Sequence, residues 1–248
     1  MSLERTKPLV VRGPKEAPFE FWVRQFLDLQ LKTIVDCLSK RLPQLNGKIL
    51  DIGAGQSPWK YLLGQDTIYQ GIDIQSAEEF GMIKSRDVIY YDGLTIPFPS
   101  NEFDAGLCIE VLEHTKNPQL LLSEAFRELK PGGKLVITVP WSARVHHIPF
   151  DYHRFTPFQL QRLMEQAGFS ECEIQTRGNN LCTIANKITL VAWALFFPHK
   201  KTSYLWSLPI GVLVVLVCIP FLVTAHLSLL IHDCSNDDPL GYFVLGVK

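Results

Sequence analysis

The sequence predicts an α/β fold, a doubly wound and mostly parallel sheet carrying a hydrophobic helical insertion near its end. Three observations support this. From Lys48 onward, short apolar runs alternate with helical stripes, the pattern of a sheet covered by helices on both faces. Gly- and Pro-containing turns fall between the runs at regular intervals. Late in the chain, residues 204–231 contain no Asp, Glu, Lys or Arg. That run helps to explain a mean hydropathy of +0.10, high for a soluble enzyme of 248 residues.

Each element follows from its local pattern. Residues 18–42 read as one helix, with Leu27, Leu31, Ile34, Leu38 and Leu42 on a single stripe and Phe19, Phe21, Trp22 and Phe26 in its first turns. Such a helix packs on the domain, covers a ligand as a lid, or presents a membrane-facing patch. Pro43 and Asn46-Gly47 end it. Strands follow at 48–52, at 67–74 with Asp73 near its end, at 87–91 before Asp92-Gly93, and at 103–109. A helix over 118–129 places Leu121, Leu122, Ala125, Phe126 and Leu129 on one face, and Pro131-Gly132-Gly133 stops it. Residues 134–139 are apolar enough for a sheet interior. After a loop over 141–155, Thr156-Pro157 supplies an N-cap hydroxyl and a first-turn proline for a helix over 158–167, which stops at Gly168. Strands at 169–176 and 241–247 complete the sheet. The organisation is therefore an N-terminal helical segment (1–47), a sheet domain (48–178 and 239–248) and a hydrophobic insertion (179–238).

The chemistry-bearing residues sit at strand ends, where open α/β sheets bind ligands. The first turn reads Asp51-Ile52-Gly53-Ala54-Gly55-Gln56-Ser57-Pro58, and its glycines allow close backbone approach to a ligand. Ser57 and Pro58 suit the cap and first position of a following helix. Pro58 stands where a dinucleotide fingerprint needs a third glycine, which disfavours NAD and FAD, and no Gly-Lys-Ser/Thr follows for a phosphate loop. Asp73 is placed to accept both hydroxyls of a ribose. Asp92 is placed to accept from an exocyclic amine such as that of adenine. Glu110 and His114 follow the fourth strand.

Taken together, these stretches resemble a class I S-adenosylmethionine-dependent methyltransferase of the methyltransferase type 11 family. The resemblance covers residues 48–177 and runs through Ile49-Leu50-Asp51-Ile52-Gly53-Ala54-Gly55, Gly71-Ile72-Asp73-Ile74, Tyr91-Asp92-Gly93, Phe103-Asp104, Glu110-Val111-Leu112-Glu113-His114 and Leu129-Lys130-Pro131-Gly132-Gly133. Ser57 departs from it, because the family's turn carries a third glycine there. The resemblance implies a Rossmann-like seven-stranded sheet whose last strand is antiparallel, with S-adenosyl-L-methionine as cofactor. It also implies roles: Asp51, Gly53, Ala54 and Gly55 at the methionine end, Asp73 with Ile74 at the ribose, Asp92 with Gly93 at the adenine, and Ile109 and Glu110 beside the transferred methyl. The sulfonium methyl is already electrophilic, so positioning and desolvation do most of the work. A base is needed only for a hydroxyl or protonated amine acceptor. Candidates are His114 and, in the loop after the fifth strand, His147, Asp151 and Tyr152; an Asp151–Arg154 pair that merely holds the loop is the alternative.

Composition limits the partners. The net charge is −1 and charged residues make up 20% of the chain, so there is no basic footprint for nucleic acid. Six cysteines form no Cys-x-x-Cys pair, no Cys/His cluster has zinc spacing, and a metal is not expected. No secretory signal opens the chain. The insertion holds an apolar stretch at 188–197, His199-Lys200-Lys201, and the charge-free 204–231. Because both flanks return to one sheet, a single membrane crossing is excluded. The favoured arrangement lays 181–198 along the interface, sets Lys200 and Lys201 against head groups, dips 206–219 into the bilayer, breaks at Pro220 and returns over 221–231. A two-helix crossing and a helical pair buried in a homodimer are the alternatives. The function read from the chain is a methyltransferase on the cytoplasmic face of a membrane, acting on a small-molecule or lipid-linked acceptor. The alternative is a non-catalytic cofactor-binding or scaffold protein of a membrane assembly.

Overall fold

The computed structural model describes residues 13–80, 84–198, 201–231 and 235–248. Its centre is a seven-stranded sheet in the order β3-β2-β1-β4-β5-β7-β6. The strands are β1 (Gly47–Ile52), β2 (Thr67–Ile74), β3 (Val88–Tyr91), β4 (Phe103–Ile109), β5 (Leu129–Pro140), β6 (Glu171–Arg177) and β7 (Gly241–Val247). The pairs from β3 to β5 are parallel, and β7 lies antiparallel between β5 and β6. Chain order reverses direction between β1 and β4, which opens the ligand crevice at the carboxyl ends of those strands.

Helices cover both faces. On one, α2 (Leu29–Arg41) lays Leu31, Ile34 and Leu38 against Ile49, Leu107, Val136 and Phe243. On the other, α3 (Pro118–Glu128) and α4 (Pro157–Ala167) bury Leu121, Leu122, Leu160 and Met164 against Leu50, Ile52, Leu135 and Val244. The Asn117 and Thr156 side chains cap α3 and α4 by accepting from Leu120 N and Gln159 N.

Four local expectations are corrected. The N-terminal helix is two, α1 (Pro18–Leu27) and α2, because Asp28 adopts an extended conformation and its carboxylate accepts from Leu31 N at 3.2 Å, capping the second. The apolar stripe continues across this break, which hides it. Ser57 caps no helix. It stands at φ +55 with its N–H on the Ala54 carbonyl, and only a 3-10 turn, Lys60–Leu62, separates β1 from β2. Pro131-Gly132-Gly133 lies inside β5, where the pairing shifts register between Phe103 and Ala105.

The fourth correction concerns the insertion between β6 and β7. It is a helical hairpin, α5 (Asn180–Phe196) and α6 (Tyr204–Ser228). Pro220 does not end α6; the helix runs through both Pro209 and Pro220. Proline removes one ladder hydrogen bond. Here α5 holds the helix on each side of that gap, through Thr189 Oγ1–Cys218 Sγ at 3.2 Å and a Cys182 thiol–Ala225 carbonyl contact at 3.8 Å. The side chains of Lys200 and Lys201 lie outside the described residues. The described cysteines, 37, 108, 172, 182 and 218, are all free thiols.

Candidate active site

The carboxyl ends of β1 to β4 open onto a cavity of about 650 Å³, a size that suits a small molecule or cofactor. Its walls include Gly53, Gly55, Asp73, Ile74, Asp92, Gly93 and Glu110 among the expected cofactor residues, and His114, His147 and Tyr152 among the expected catalytic ones. Asp51, Ala54, Ile109 and Asp151 stand outside this lining.

The glycine turn is shaped by its backbone. Gly53 sits at φ +69, and a Cβ there would meet Val111 Cγ2 at 2.4 Å, so only glycine keeps this corner. Gly55 is at φ +52, and its N–H donates to Asp73 Oδ2 at 2.9 Å. Asp73 also accepts from Ile74 N at 2.8 Å, which fixes its carboxylate at the end of β2. Burial pushes this carboxyl up, against the pull of the Ile74 and Gly55 N–H groups. Asp92 is open to solvent; N–H bonds from Leu94 (2.8 Å) and Thr95 (3.2 Å) hold its carboxyl low and ionised.

Asp51 supports the turn from behind and does not line the cavity. It is 2% exposed, and its Oδ2 accepts from the Tyr69 hydroxyl at 2.5 Å. Burial pushes its carboxyl up to about 7, with the neighbouring Asp73 adding to the rise.

Glu110 lies in the wall at φ +55, a strained conformation for a residue with a side chain. Its Oε1 accepts from Arg177 Nη2 at 2.8 Å. Arg177 is completely buried and donates as well to the Val139 carbonyl at 3.2 Å and to Thr33 Oγ1 at 3.3 Å. It is the functional residue that the sequence reading missed. Its position at the end of β6, immediately before the insertion, was the available signal.

The acceptor side is built by the loop after β5. Arg154 grips both oxygens of Asp151 at 2.6 and 2.8 Å, and His146 N donates to Asp151 at 3.0 Å. Burial works against the Asp151 charge, but Arg154 and the His146 N–H outweigh it and hold the carboxyl low. Asp151 thus holds the loop, and no proton-abstracting role fits a carboxylate so engaged. His114 donates Nδ1–H to the Phe150 carbonyl at 3.0 Å, with its imidazole held down at about 4 by burial and by the nearby His146. At neutral pH that ring is a weak base. His147 reaches the cavity from a left-handed backbone position at φ +51, and Tyr152 is exposed in the same wall. Among the expected catalytic residues, these two join His114 in the cavity wall.

Comparison with known proteins agrees with this geometry. Residues 23–173 match the methyltransferase domain family, more than half of the chain, and the chain belongs to that family. It is 32% identical over 205 residues to tRNA (carboxymethyluridine(34)-5-O)-methyltransferase of Schizosaccharomyces pombe, covering 62% of this chain and 86% of that one. It is 40% identical over 123 residues to demethylmenaquinone methyltransferase of Tropheryma whipplei, covering 47% and 51%. Apart from the Schizosaccharomyces pombe enzyme, the chain spans about half the length of the curated relatives it matches, 51% and 55% for two Methanocaldococcus jannaschii proteins. The fold matches the crystal structure of an S-adenosylmethionine-dependent methyltransferase from Archaeoglobus fulgidus with a TM-score of 0.54 at 16% identity, over 93% of this chain and all (100%) of that one. The cofactor of this family is S-adenosylmethionine, and the residues present fit it: a glycine corner that excludes side chains, a carboxylate fixed at the end of β2, and an ionised carboxylate after β3.

Proposed function

We propose that this protein transfers the methyl group of S-adenosylmethionine to an amphipathic, lipid-linked acceptor, from the face of a membrane to which the α5–α6 hairpin attaches it. The observation that carries this reading is the placement of an apolar hairpin one ion pair away from the cofactor cavity, through Arg177 and Glu110.

On the cofactor side, bound S-adenosylmethionine supplies an electrophilic sulfonium methyl. Asp73 is positioned to accept the ribose hydroxyls, and Asp92 to meet the adenine edge. Gly53 and Gly55 let the methionine end approach the backbone. Glu110, fixed by Arg177, borders the methyl, and Val111, Leu121 and Phe150 in the same wall exclude water. His147 accepts the proton of a hydroxyl acceptor, and the Tyr152 hydroxyl stands in the same wall to hydrogen-bond that acceptor.

The hairpin supports membrane attachment by its exposure. The α6 helix buries only a seam of mainly small residues, including Ser207, Gly211, Cys218 and Ala225, and leaves Leu213 and Leu216 each 62% exposed. A helix apolar on every side is a helix for lipid. With 25 residues, α6 reaches about 37 Å at 1.5 Å per residue, while α5 with 17 is shorter. Its base is clasped by Asn179–Ser228 and by Thr183 to the Asp238 carbonyl. Beside that base, Phe19 and Trp22 are exposed on α1, and the aromatic ladder continues through Phe26 onto His226 of α6. Exposed aromatics at this level suit the head-group region.

The test is direct. Full-length protein should stay with membranes through a high-salt wash and leave only with detergent. Recovery in the soluble fraction as a homodimer that hides α6 would rule the attachment out.

A further inference from the structure

We propose that His114, His146 and His147 bind one divalent transition-metal ion of the zinc class at the acceptor end of the cavity. The sequence shows no such spacing, because the fold assembles the group from two places: the 3-10 turn Leu112–His114 after β4 and the loop after β5. One ligand atom of each residue lies within 4.8 Å of the others. The ring centroids are 4.8, 5.1 and 5.3 Å apart. Tetrahedral zinc with bonds of about 2.0–2.1 Å needs its nitrogens about 3.4 Å apart, so the rings would close by up to about 1.4 Å onto the ion.

The outer contacts prepare the rings for this. His114 Nδ1 is 3.0 Å from the Phe150 carbonyl, and His146 Nδ1 is 3.1 Å from the Arg144 carbonyl. A carbonyl only accepts, so each Nδ1 carries the proton and each Nε2 presents a lone pair. Asp151 Oδ2 stands 3.3 Å from the same His146 nitrogen. Metal-binding histidines are oriented in this way, their second nitrogen donating to a carbonyl or carboxylate.

A second, independent observation lies beneath the cluster. Glu113 is fully buried, and neither carboxylate oxygen has a hydrogen-bond partner, yet Oε1 lies 3.6 Å from His114 Nε2. Ring lone pair and carboxylate repel unless a cation or a proton stands beside them, and leaving such a group uncompensated is costly. A metal ion on the imidazoles supplies the missing positive charge. Three protein ligands are also the number at which zinc keeps a position for water or substrate. Since His114 and His147 both line the cavity, that position faces the acceptor, and an oxygen of the acceptor would take it; with the ion bound, His147 would be a ligand in place of a base, and the metal would lower the pKa of the acceptor hydroxyl so that its proton leaves to water. This assignment of the ion's role rests on the methyltransferase reading; binding of the ion does not.

The experiment uses full-length protein in detergent, stripped with a chelator. Zinc binding is followed by calorimetry and metal counting, and cobalt binding by its visible absorption. The expected result is one ion per chain with a tetrahedral cobalt spectrum. Affinity should fall at least about tenfold in His146→Ala and His147→Ala, and about 10- to 100-fold in Asp151→Asn. Because an alanine can loosen the loop, His147→Gln is measured beside it, with thermal melting and S-adenosylmethionine binding as folding controls. Asp73→Ala should keep its metal. Sub-stoichiometric zinc in the wild type, or unchanged affinity in the His146→Ala/His147→Ala double variant, overturns the site and leaves the methyltransferase reading intact. Metal bound with no S-adenosylmethionine affinity would do the reverse.

Discussion

The sheet and the α5–α6 hairpin are both rich in apolar residues and use them in opposite ways. In the sheet, Leu50, Ile52, Phe103, Leu107 and Val136 are buried on both faces beneath α2, α3 and α4. In the hairpin, most large apolar side chains of α6 face outward. One region buries its apolar surface inside the protein; the other leaves most of it exposed, which the proposed membrane attachment would cover. The high mean hydropathy is therefore a local property of the insertion, and it sits where the chain passes from the edge strand β6 to β7.

The largest effect is expected on the hairpin. Replacing Leu213, Leu216 and Ile219 with Lys should move the protein from the membrane pellet to the soluble fraction, since each charge costs about 2.5–3.5 kcal/mol at mid-bilayer. The detergent-solubilised variant should melt within a few degrees of the wild type. The converse change, Phe103→Ala in the sheet, should cost about 3–5 kcal/mol in chemical denaturation and leave membrane attachment unchanged. If the lysines unfold the protein, α6 is core and the contrast between the two regions collapses.

The link between the regions comes next. Arg177→Ala leaves Glu110 without its partner and a cavity behind β7. Breaking a buried pair from one side costs about 3–5 kcal/mol, so a fall of that order in unfolding free energy is expected. Arg177→Lys should recover only part of it, because one ammonium cannot reach Glu110, Val139 and Thr33 together.

Smaller effects belong to the cofactor end. Asp73→Ala should weaken S-adenosylmethionine binding by at least about tenfold in calorimetry, because the ribose hydrogen bonds proposed for this carboxylate would be lost. The mildest change is a pH dependence. Asp51 has its carboxyl raised to about 7 in the folded protein, against an ordinary value of 3.8. The folded state therefore holds this proton where the unfolded chain has lost it, and the contribution to stability falls as pH rises from about 4 to about 7. Asp51→Asn should flatten that part of the stability profile, as read by melting temperature across the same range. An unchanged profile would show that Asp51 is ionised throughout.

Much of the sheet was legible in the sequence, because β1, β4 and β7 are apolar runs of strand length, and the turn after β1 carries glycine. The strand-end carboxylates Asp73 and Asp92 followed from that placement. Four features were not legible for physical reasons. Asp28 breaks α1 from α2 through its own side chain, which the apolar stripe does not register. Pro220 lies within α6, whose turns on either side are tied to α5 through Cys218 and Ala225, contacts that no local pattern reports. The histidine cluster depends on His114 meeting a loop that starts only after β5, and no linear spacing reports that meeting. Arg177 belongs to the same class: its partners Glu110, Thr33 and Val139 come from three separate parts of the chain.

Methyl transfer to a membrane-borne acceptor can be followed with a labelled cofactor. Full-length protein is incubated with methyl-labelled S-adenosylmethionine and, in parallel, with membranes, a total lipid extract, an aqueous metabolite pool and RNA. Label is expected in the membrane and lipid fractions and is abolished by Asp73→Ala. Label confined to the aqueous pool or to RNA, or lipid labelling that survives Asp73→Ala, would contradict methyl transfer to that acceptor.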